Sequence, residues 1–150
     1  MRRYGERVLP GKPYRDRPGT YAIIGNGSGQ VLLAATTNEG EGFLLPGGGI
    51  DQGEQPLQAL HREVLEETGW RIATPLRLGA YQRYVFMPDY GFWARKICTI
   101  YLARAVRPLM NPLEPDHTPI WMDAEEATLC LSVGAEQSYL GGLIESGISF

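Results

Sequence analysis

The chain has 150 residues, enough for one domain with a sizeable core, and its 43% apolar and 21% charged residues exclude an intrinsically disordered protein. The net charge of -3 argues against a general nucleic-acid binder, and no apolar run reaches the roughly 18 residues that span a bilayer. No signal segment is evident, so we expect a cytoplasmic protein with no membrane partner. Cys98 and Cys130 lack the spacing of a zinc site or a disulfide framework.

Residues 1–18 form a basic lead-in segment to a domain that we place at residues 19–150. Six of the 14 lysines and arginines lie in the first 17 positions, and the other eight are scattered. Prolines and glycines leave room in this segment for at most a short edge strand. The basic cluster could attract phosphates to an acidic site elsewhere, but a solvated basic tail is the interpretation that the sequence favours.

A strand over 20–25 and a partner over 30–35 are joined by a tight turn rich in glycine. A loop is predicted over 38–42, followed by a short strand over 43–45. This strand leads into the glycines at 47–49, so the chain passes from a strand through a glycine turn to the next element.

The next element is a helix, predicted over 55–68. Pro56 stands in its first turn, and Gly69 stands where a left-handed C-terminal cap would lie. At about 100° per residue, one side of the helix collects a set of side chains that we expect to face the core. They are Leu57, Leu60, Val64 and Leu65, with His61 and Thr68 among them.

Glu63, Glu66 and Glu67 are spaced i, i+3, i+4 and gather on the opposite side of this helix. Like charges at this spacing destabilise a helix by roughly 0.2–0.5 kcal/mol per pair. Arg62 can pair with Glu66, which leaves Glu63 and Glu67 without a local cation. Clustered carboxylates suit Mg²⁺ or Mn²⁺, and the alternative is a solvated acidic helix face.

The glycine turn makes the metal site the stronger interpretation. Gly47, Gly48 and Gly49 allow main-chain groups to approach a ligand closely, and a turn that leads into a helix N-terminus attracts anions. Five residues separate Gly48 from Glu54, and seven more lead to the run 62–70. This spacing resembles the Nudix box, G-x5-E-x7-R-E-U-x-E-E-x-G-U with U aliphatic. The departure is Trp70 at the last position.

Beyond the box, the sequence predicts more strands than helices. The predicted elements are a short strand around Leu76, a strand over 80–87, a break over 88–91, a long strand over 94–106, a proline-rich loop over 108–119, a strand over 120–122, a helix starting within 123–126 and a last helix over 133–145. The strands 80–87 and 94–106 are expected to pair. The resemblance implies an α/β fold, a Nudix-like α/β/α sandwich with a mixed β-sheet.

The resemblance also implies an activity and a set of residues. Members of the family hydrolyse a phosphoric anhydride bond in a nucleoside diphosphate linked to another group, with Mg²⁺ or Mn²⁺. Glu63, Glu66 and Glu67 would be metal ligands, together with the carbonyl of Gly47. Glu54 would support the loop or bind metal through water, and Arg62 would orient a glutamate.

The general base stays open, because family members differ in the carboxylate that takes the proton from water. Glu63 is the residue inside the box that could serve. Outside the box, Glu114, Asp116 and His117 lie in the loop before Trp121 and could equally be solvated.

We expect a small nucleoside diphosphate derivative or nucleotide as substrate, and no stable nucleic-acid partner. One alternative is an RNA 5′-end pyrophosphohydrolase that holds RNA with the basic N-terminal segment. Another is a non-catalytic nucleotide-binding module, which loss of box glutamates would favour, and none is lost. The sequence leaves the oligomeric state open, a homodimer included.

Overall fold

The computed structural model describes residues 1–37 and 42–150. In that part of the chain the strands are β1 (Arg3–Gly5), β2 (Tyr14–Gly25), β3 (Gln30–Thr36), β4 (Gly42–Leu44), β5 (Gly47–Gly49), β6 (Trp70–Met87), β7 (Phe92–Pro108) and β8 (His117–Asp123). The helices are α1 (Pro56–Thr68), α2 (Ala124–Cys130) and α3 (Gly134–Glu145).

All eight strands belong to one mixed sheet, in which six follow the order β1-β6-β7-β2-β3-β4, while β5 pairs with β2 and β8 pairs with β3. The pairs β1–β6 and β2–β7 are parallel, while β6–β7, β2–β3 and β3–β4 are antiparallel. Strands β2 and β3 meet at Gly25 and Val31, and away from this point β5 pairs with β2 while β4 pairs with β3. The short strands β4 and β5 therefore fill the gap between β2 and β3.

Helices cover both faces of this sheet and bury two separate apolar clusters. On one face, Leu60 and Val64 of α1 pack with Ala22, Ile24 and other residues of β2, β3, β6 and β7. The second cluster takes in residues of α2 and α3 together with alternate residues of β2 and β3. The predicted α/β/α sandwich with a mixed sheet is confirmed. No helix in the described residues is long and apolar enough to cross a bilayer.

Strand bounds differ from the sequence prediction at several points. Strand β2 begins at Tyr14 and not at residue 20, because residues 14–18 pair with β7, so the expectation of at most a short edge strand in the first 18 residues is wrong. The division of the chain at residue 18 stays a prediction. The two strands predicted over 71–87 form the single strand β6, and its predicted pairing with β7 is confirmed. Most of the loop predicted over 38–42 lies outside the described residues.

The acidic residue Glu136 ties α3 to the segment that enters the glycine turn. Its side chain is 2% exposed, and its carboxyl accepts a hydrogen bond of 3.0 Å from the Leu45 N–H. Burial raises the pKa of Glu136 to about 8, although this hydrogen bond and the nearby Arg83 and Lys96 act in the opposite direction. A buried carboxyl thus supplies the acceptor that a neighbouring strand would otherwise supply.

We predict that Glu136 makes the stability of this protein fall as pH rises. With its pKa raised from 4.5 to about 8, the folded state holds a proton that the unfolded state releases. Its contribution is present below about pH 4.5 and is lost as pH rises toward 8. Glu136→Gln keeps an oxygen for the Leu45 N–H and does not titrate. Urea unfolding from pH 5 to 9 should show a smaller fall in the variant, and higher stability than the parent at pH 9.

The matched control is Glu145→Gln, which changes an exposed glutamate of the same helix. It should keep the pH dependence of the parent. Equal pH dependence in Glu136→Gln and the parent would contradict a raised pKa at Glu136.

Candidate active site

Helix α1 carries most of the site and has the predicted ends. Gln55 is its N-cap in extended conformation, and Gly69 ends it with φ 76°, donating its N–H to the Leu65 carbonyl. Gly69 is required there because a Cβ would fall on the Met110 carbonyl oxygen. The helix prediction is confirmed in type and in bounds within one residue.

The face of α1 that is buried differs from the predicted one. Leu60, Val64 and Thr68 are buried as predicted, but Leu57 is 44% exposed and His61 is also exposed. Glu67, predicted on the opposite side, is only 8% exposed. The buried face of α1 therefore includes the Glu67 carboxyl and excludes the Leu57 side chain. Such an exchange is costly unless the buried carboxyl has a partner.

The glycine turn supplies that partner. The Gly47 N–H donates to the Glu67 carboxyl at 3.4 Å, while the Pro46 carbonyl accepts from the Ala22 N–H of β2 at 2.9 Å. Burial, with the Glu63 carboxylate nearby, raises the pKa of Glu67 to about 9. Glu67 is therefore a carboxyl held in a position where its negative charge is poorly balanced.

Arg62 lies at the centre of the remaining carboxylates. Its guanidinium forms two hydrogen bonds of 2.8 Å to Glu54, one of 2.9 Å to Glu63 and one of 3.3 Å to Glu66. The same group donates to the Gly49 carbonyl at 3.0 Å. The prediction that Glu63 has no local cation is wrong, because Arg62 forms ion pairs both with Glu63, the next residue, and with Glu66, one turn away.

Glu54 connects the turn before α1 to Arg62. Whether it supports the loop or binds metal through water stays a prediction. Its carboxylate accepts the Asp51 N–H at 3.0 Å and so closes the turn before α1. Arg62 and this N–H lower the pKa of Glu54 to about 2. The pKa of Glu63, in contrast, is raised by burial despite the contact with Arg62.

Gly48 brings the main chain directly onto Glu63. A Cβ at Gly48 would collide with the Glu63 carboxylate, whereas a Cβ at Gly49 would meet its nearest atom, the Pro18 carbonyl oxygen, at 4.0 Å. Thr20 lies opposite Gly48 in the β2–β5 pairing, and its buried hydroxyl has no hydrogen-bond partner among the described residues. The absence of a side chain at Gly48 therefore keeps the space that the Glu63 carboxylate occupies.

The residues predicted in the loop before Trp121 divide into two groups. The N–H of Glu114 donates to the Glu66 carbonyl at 3.2 Å, and the Glu114 carboxylate is close enough to raise the pKa values of Glu63 and Glu67. Asp116 and His117 lie next to β3. His117 is the first residue of β8 and pairs with Thr36, so the prediction that it lies in a loop is wrong. Of the three, Glu114 is the one that the structure brings to the box carboxylates.

The donor chemistry of these residues fits a hard divalent cation. In the described part of the chain, no three acidic, histidine or cysteine side chains stand ready at ligand positions. The guanidinium of Arg62 occupies carboxylate oxygens of Glu63 and Glu66 that could otherwise face a metal ion. Glu67 supplies a buried carboxyl whose ionised form a cation would stabilise. Carboxylate oxygens are the ligands that Mg²⁺ and Mn²⁺ prefer.

Glu136 is the functional-site neighbour that sequence reasoning missed. The Leu45 and Gly47 N–H groups, two residues apart, are bound by Glu136 of α3 and Glu67 of α1. The only sequence signal is a glutamate in the first turn of an otherwise largely apolar helix, a position where acids are common.

Comparison with known proteins gives a family. The model of the NUDIX domain matches residues 15–140. A Bacillus subtilis protein with the provisional name 8-oxo-dGTP diphosphatase is 39% identical over 71 residues, 47% of this chain and 47% of its own length. An RNA pyrophosphohydrolase of Halorhodospira halophila is 39% identical over 69 residues, 46% of this chain and 38% of its own length. The chain thus spans less than half the length of these curated relatives.

Solved structures share the fold. The MutT protein of Bacillus halodurans superposes with a TM-score of 0.69 and 22% identity, covering 83% of this chain and 80% of its own. A NUDIX hydrolase of Nitrosomonas europaea gives a TM-score of 0.68 and 19% identity, covering 91% of this chain and 93% of its own.

We predict that Gly48→Ala impairs metal binding while Gly49→Ala does not. Both variants add one methyl group to the same turn, but at Gly48 it displaces the Glu63 carboxylate and at Gly49 it meets open space. Binding of Mn²⁺ measured by calorimetry should weaken by about tenfold or more for Gly48→Ala, the loss expected when a ligand is misplaced. Equal Mn²⁺ affinity in the two folded variants would contradict the placement of Glu63.

Proposed function

The chain belongs to the NUDIX family, and from this premise we propose that it hydrolyses a phosphoric anhydride bond of a nucleotide substrate with the help of Mg²⁺ or Mn²⁺. The observation that carries the proposal is the gathering of Glu63, Glu66 and Glu67 beside the glycine turn, with Gly48 in contact distance of Glu63. All the box glutamates are present, which disfavours a non-catalytic binding module.

Each box residue has a task that its contacts support. Glu63, Glu66 and Glu67 would hold the divalent ion, with the Gly47 carbonyl as a further ligand. When bound, such an ion polarises a phosphoryl oxygen and acidifies a water molecule. Arg62 orients Glu63 and Glu66, and Glu54 fixes both Arg62 and the turn. Main-chain groups at Gly47, Gly48 and Gly49 can approach the phosphates because no side chains stand in the way.

Glu114 is the strongest choice for the general base outside the box. Its main chain is anchored to Glu66, and its charge acts on Glu63 and Glu67. Removing a proton from the attacking water requires a carboxylate within reach of that water. Asp116 and His117 lie farther along the chain toward β3 and do not share these contacts.

The substrate that we propose is a small nucleoside diphosphate derivative or nucleotide, cleaved to a nucleoside monophosphate and a phosphorylated second product. The relatives named above are called a diphosphatase of 8-oxo-dGTP and a pyrophosphohydrolase of RNA. Both names describe cleavage of a pyrophosphate bond.

Replacement of the acidic ligands should abolish activity without loss of the fold. Glu66→Gln and Glu67→Gln each remove an anionic donor at constant size, so hydrolysis with Mg²⁺ should fall by about 10²-fold or more, or roughly 3 kcal/mol of transition-state stabilisation. Because Glu67 is already largely neutral at pH 7 without metal, Glu67→Gln should not lower the melting temperature in EDTA.

The assay panel contains nucleoside triphosphates, 8-oxo-purine nucleotides, ADP-ribose and dinucleoside polyphosphates. Glu126→Gln, on the exposed side of α2, is the control and should keep the parental rate. Parental rates in both folded box variants would reject the metal-site assignment.

A second prediction separates the base from the ligands. Glu114→Ala should lower kcat by about 10²–10⁴-fold while Mn²⁺ affinity stays within a few fold of the parent. Asp116→Ala and His117→Ala are the comparison variants and should keep most of kcat. If all three variants have equal rates, the base is Glu63 or metal-bound hydroxide.

A further inference from the structure

Thr20 of β2 carries a buried hydroxyl that the fold does not pair. Its side chain is fully buried, and its Oγ1 atom forms no hydrogen bond with any described residue. Because successive residues of a strand alternate between faces, Thr20 shares its face with Ala22 and Ile24, which pack against α1. A buried hydroxyl without a partner is costly, and a valine would fill the same space without that cost. A threonine at this position therefore points to a partner beyond the hydrogen bonds of the fold itself.

The glycine turn places this hydroxyl opposite a box glutamate. Thr20 is the register partner of Gly48 in the β2–β5 pairing. Directly opposite residues of paired strands project from the same face, with Cβ atoms about 5 Å apart. A Cβ at Gly48 would lie 2.5 Å from Oε2 and 2.8 Å from Oε1 of Glu63. The Glu63 carboxylate therefore takes the place of a cross-strand side chain opposite Thr20.

The two carboxylate oxygens of Glu63 have different neighbours. Oε1 accepts a hydrogen bond of 2.9 Å from the Arg62 guanidinium. Oε2 is the closer of the two oxygens to the Cβ position at Gly48, which is the position opposite Thr20. Arg62 thus serves one oxygen, and the Thr20 hydroxyl is placed to serve the other.

A neutral donor suits a carboxylate that binds a cation. Arg62 and a divalent ion are both positively charged, so they compete for the oxygens of Glu63 and repel each other at close range. A threonine hydroxyl donates a hydrogen bond without adding charge. It can therefore fix one oxygen of Glu63 while the other oxygen contacts the ion. Carboxylates that ligate metals are commonly held by hydrogen bonds of this kind.

We propose that Thr20 is a positioning residue for Glu63, and that its hydroxyl donates a hydrogen bond to the Glu63 carboxylate when a divalent cation is bound. The inference rests on the metal site of the proposed function and adds to that site a residue outside the box. Thr99, the register partner of Thr20 on β7, offers another hydroxyl on the same face, but Thr20 forms no hydrogen bond with it. The Thr20 hydroxyl therefore destabilises the protein without the ion and favours the ion-bound form.

Opposite effects of one substitution on stability and on metal binding give the first test. Thr20→Val keeps the shape of the side chain and removes the hydroxyl, so the melting temperature in EDTA should rise by about 2 °C or more. Binding of Mn²⁺ measured by calorimetry should weaken by about tenfold or more. A lower melting temperature in EDTA, the result of losing a structural contact, would overturn the proposal, and so would parental Mn²⁺ affinity.

Further variants isolate the hydroxyl from the rest of the side chain. Thr20→Ser should keep the Mn²⁺ affinity within a few fold of the parent, and Thr20→Ala should bind Mn²⁺ about tenfold more weakly than Thr20→Ser. This pair decides the question even if Thr20→Val does not fold. Thr99→Val is the matched control on the neighbouring strand and should keep the parental affinity. An equal loss in Thr99→Val contradicts the assignment, because it would show a general effect of hydroxyl groups on this face.

Turnover gives the second test and separates this inference from the proposed function. The substrate that the parent hydrolyses fastest in the panel above is assayed over a range of Mg²⁺ concentrations. In Thr20→Val the Mg²⁺ concentration for half-maximal rate should rise about tenfold, while kcat at saturating Mg²⁺ stays within a few fold of the parent, because the hydroxyl acts on ion affinity. An unchanged Mg²⁺ dependence in an otherwise active variant rejects the role of Thr20 and leaves the proposed function standing.

Failure of the proposed function has a different signature. Mn²⁺ binding by the parent without hydrolysis of any panel member rejects the proposed activity, and the calorimetry of the Thr20 variants still decides on the positioning role. If the parent binds no Mn²⁺, the metal site is rejected and the role of Thr20 is rejected with it.

Discussion

The site depends on two hydrogen bonds to one short segment of main chain. The Leu45 and Gly47 N–H groups are bound by buried carboxyls, Glu136 from one face of the sheet and Glu67 from the other. Unpaired N–H groups at this place would cost about 1–3 kcal/mol each. Because β2 and β3 diverge here, these side chains replace the strand that is missing, and they fix the glycine turn relative to α1.

The carboxyls of this site lie where burial disfavours their ionised form. The pKa values of Glu67 and Glu136 are raised to about 9 and about 8, and burial also raises the pKa of Glu63. Arg62 compensates on the exposed side through Glu54, Glu63 and Glu66. A divalent cation would stabilise the ionised form of these carboxyls, which burial disfavours.

Beyond the helices, the sheet is stabilised differently. Residues 14–18 of β2 and the turn end of β6 and β7 are held by edge-on aromatic pairs such as Tyr14–Tyr84, at 5.0 Å, and by cations over rings. These contacts stabilise residues 14–18 of β2, which belong to neither of the two apolar clusters.

The sequence by itself determined the local elements and the family. Pro56, Gly69 and the box spacing were sufficient to predict α1 and the family, because both are encoded by residues close together along the chain. Only the tertiary structure decided that Leu57 and His61 are exposed while Glu67 is buried, since the buried face depends on which strands α1 meets. The contact of Glu136 with Leu45, 91 residues apart, and the placement of Thr20 opposite Gly48 likewise exist only in the folded chain. The pairing of β2 with β7 and the contact of α3 with the segment before the glycine turn join parts of the chain that are far apart in sequence, and local patterns do not specify such contacts.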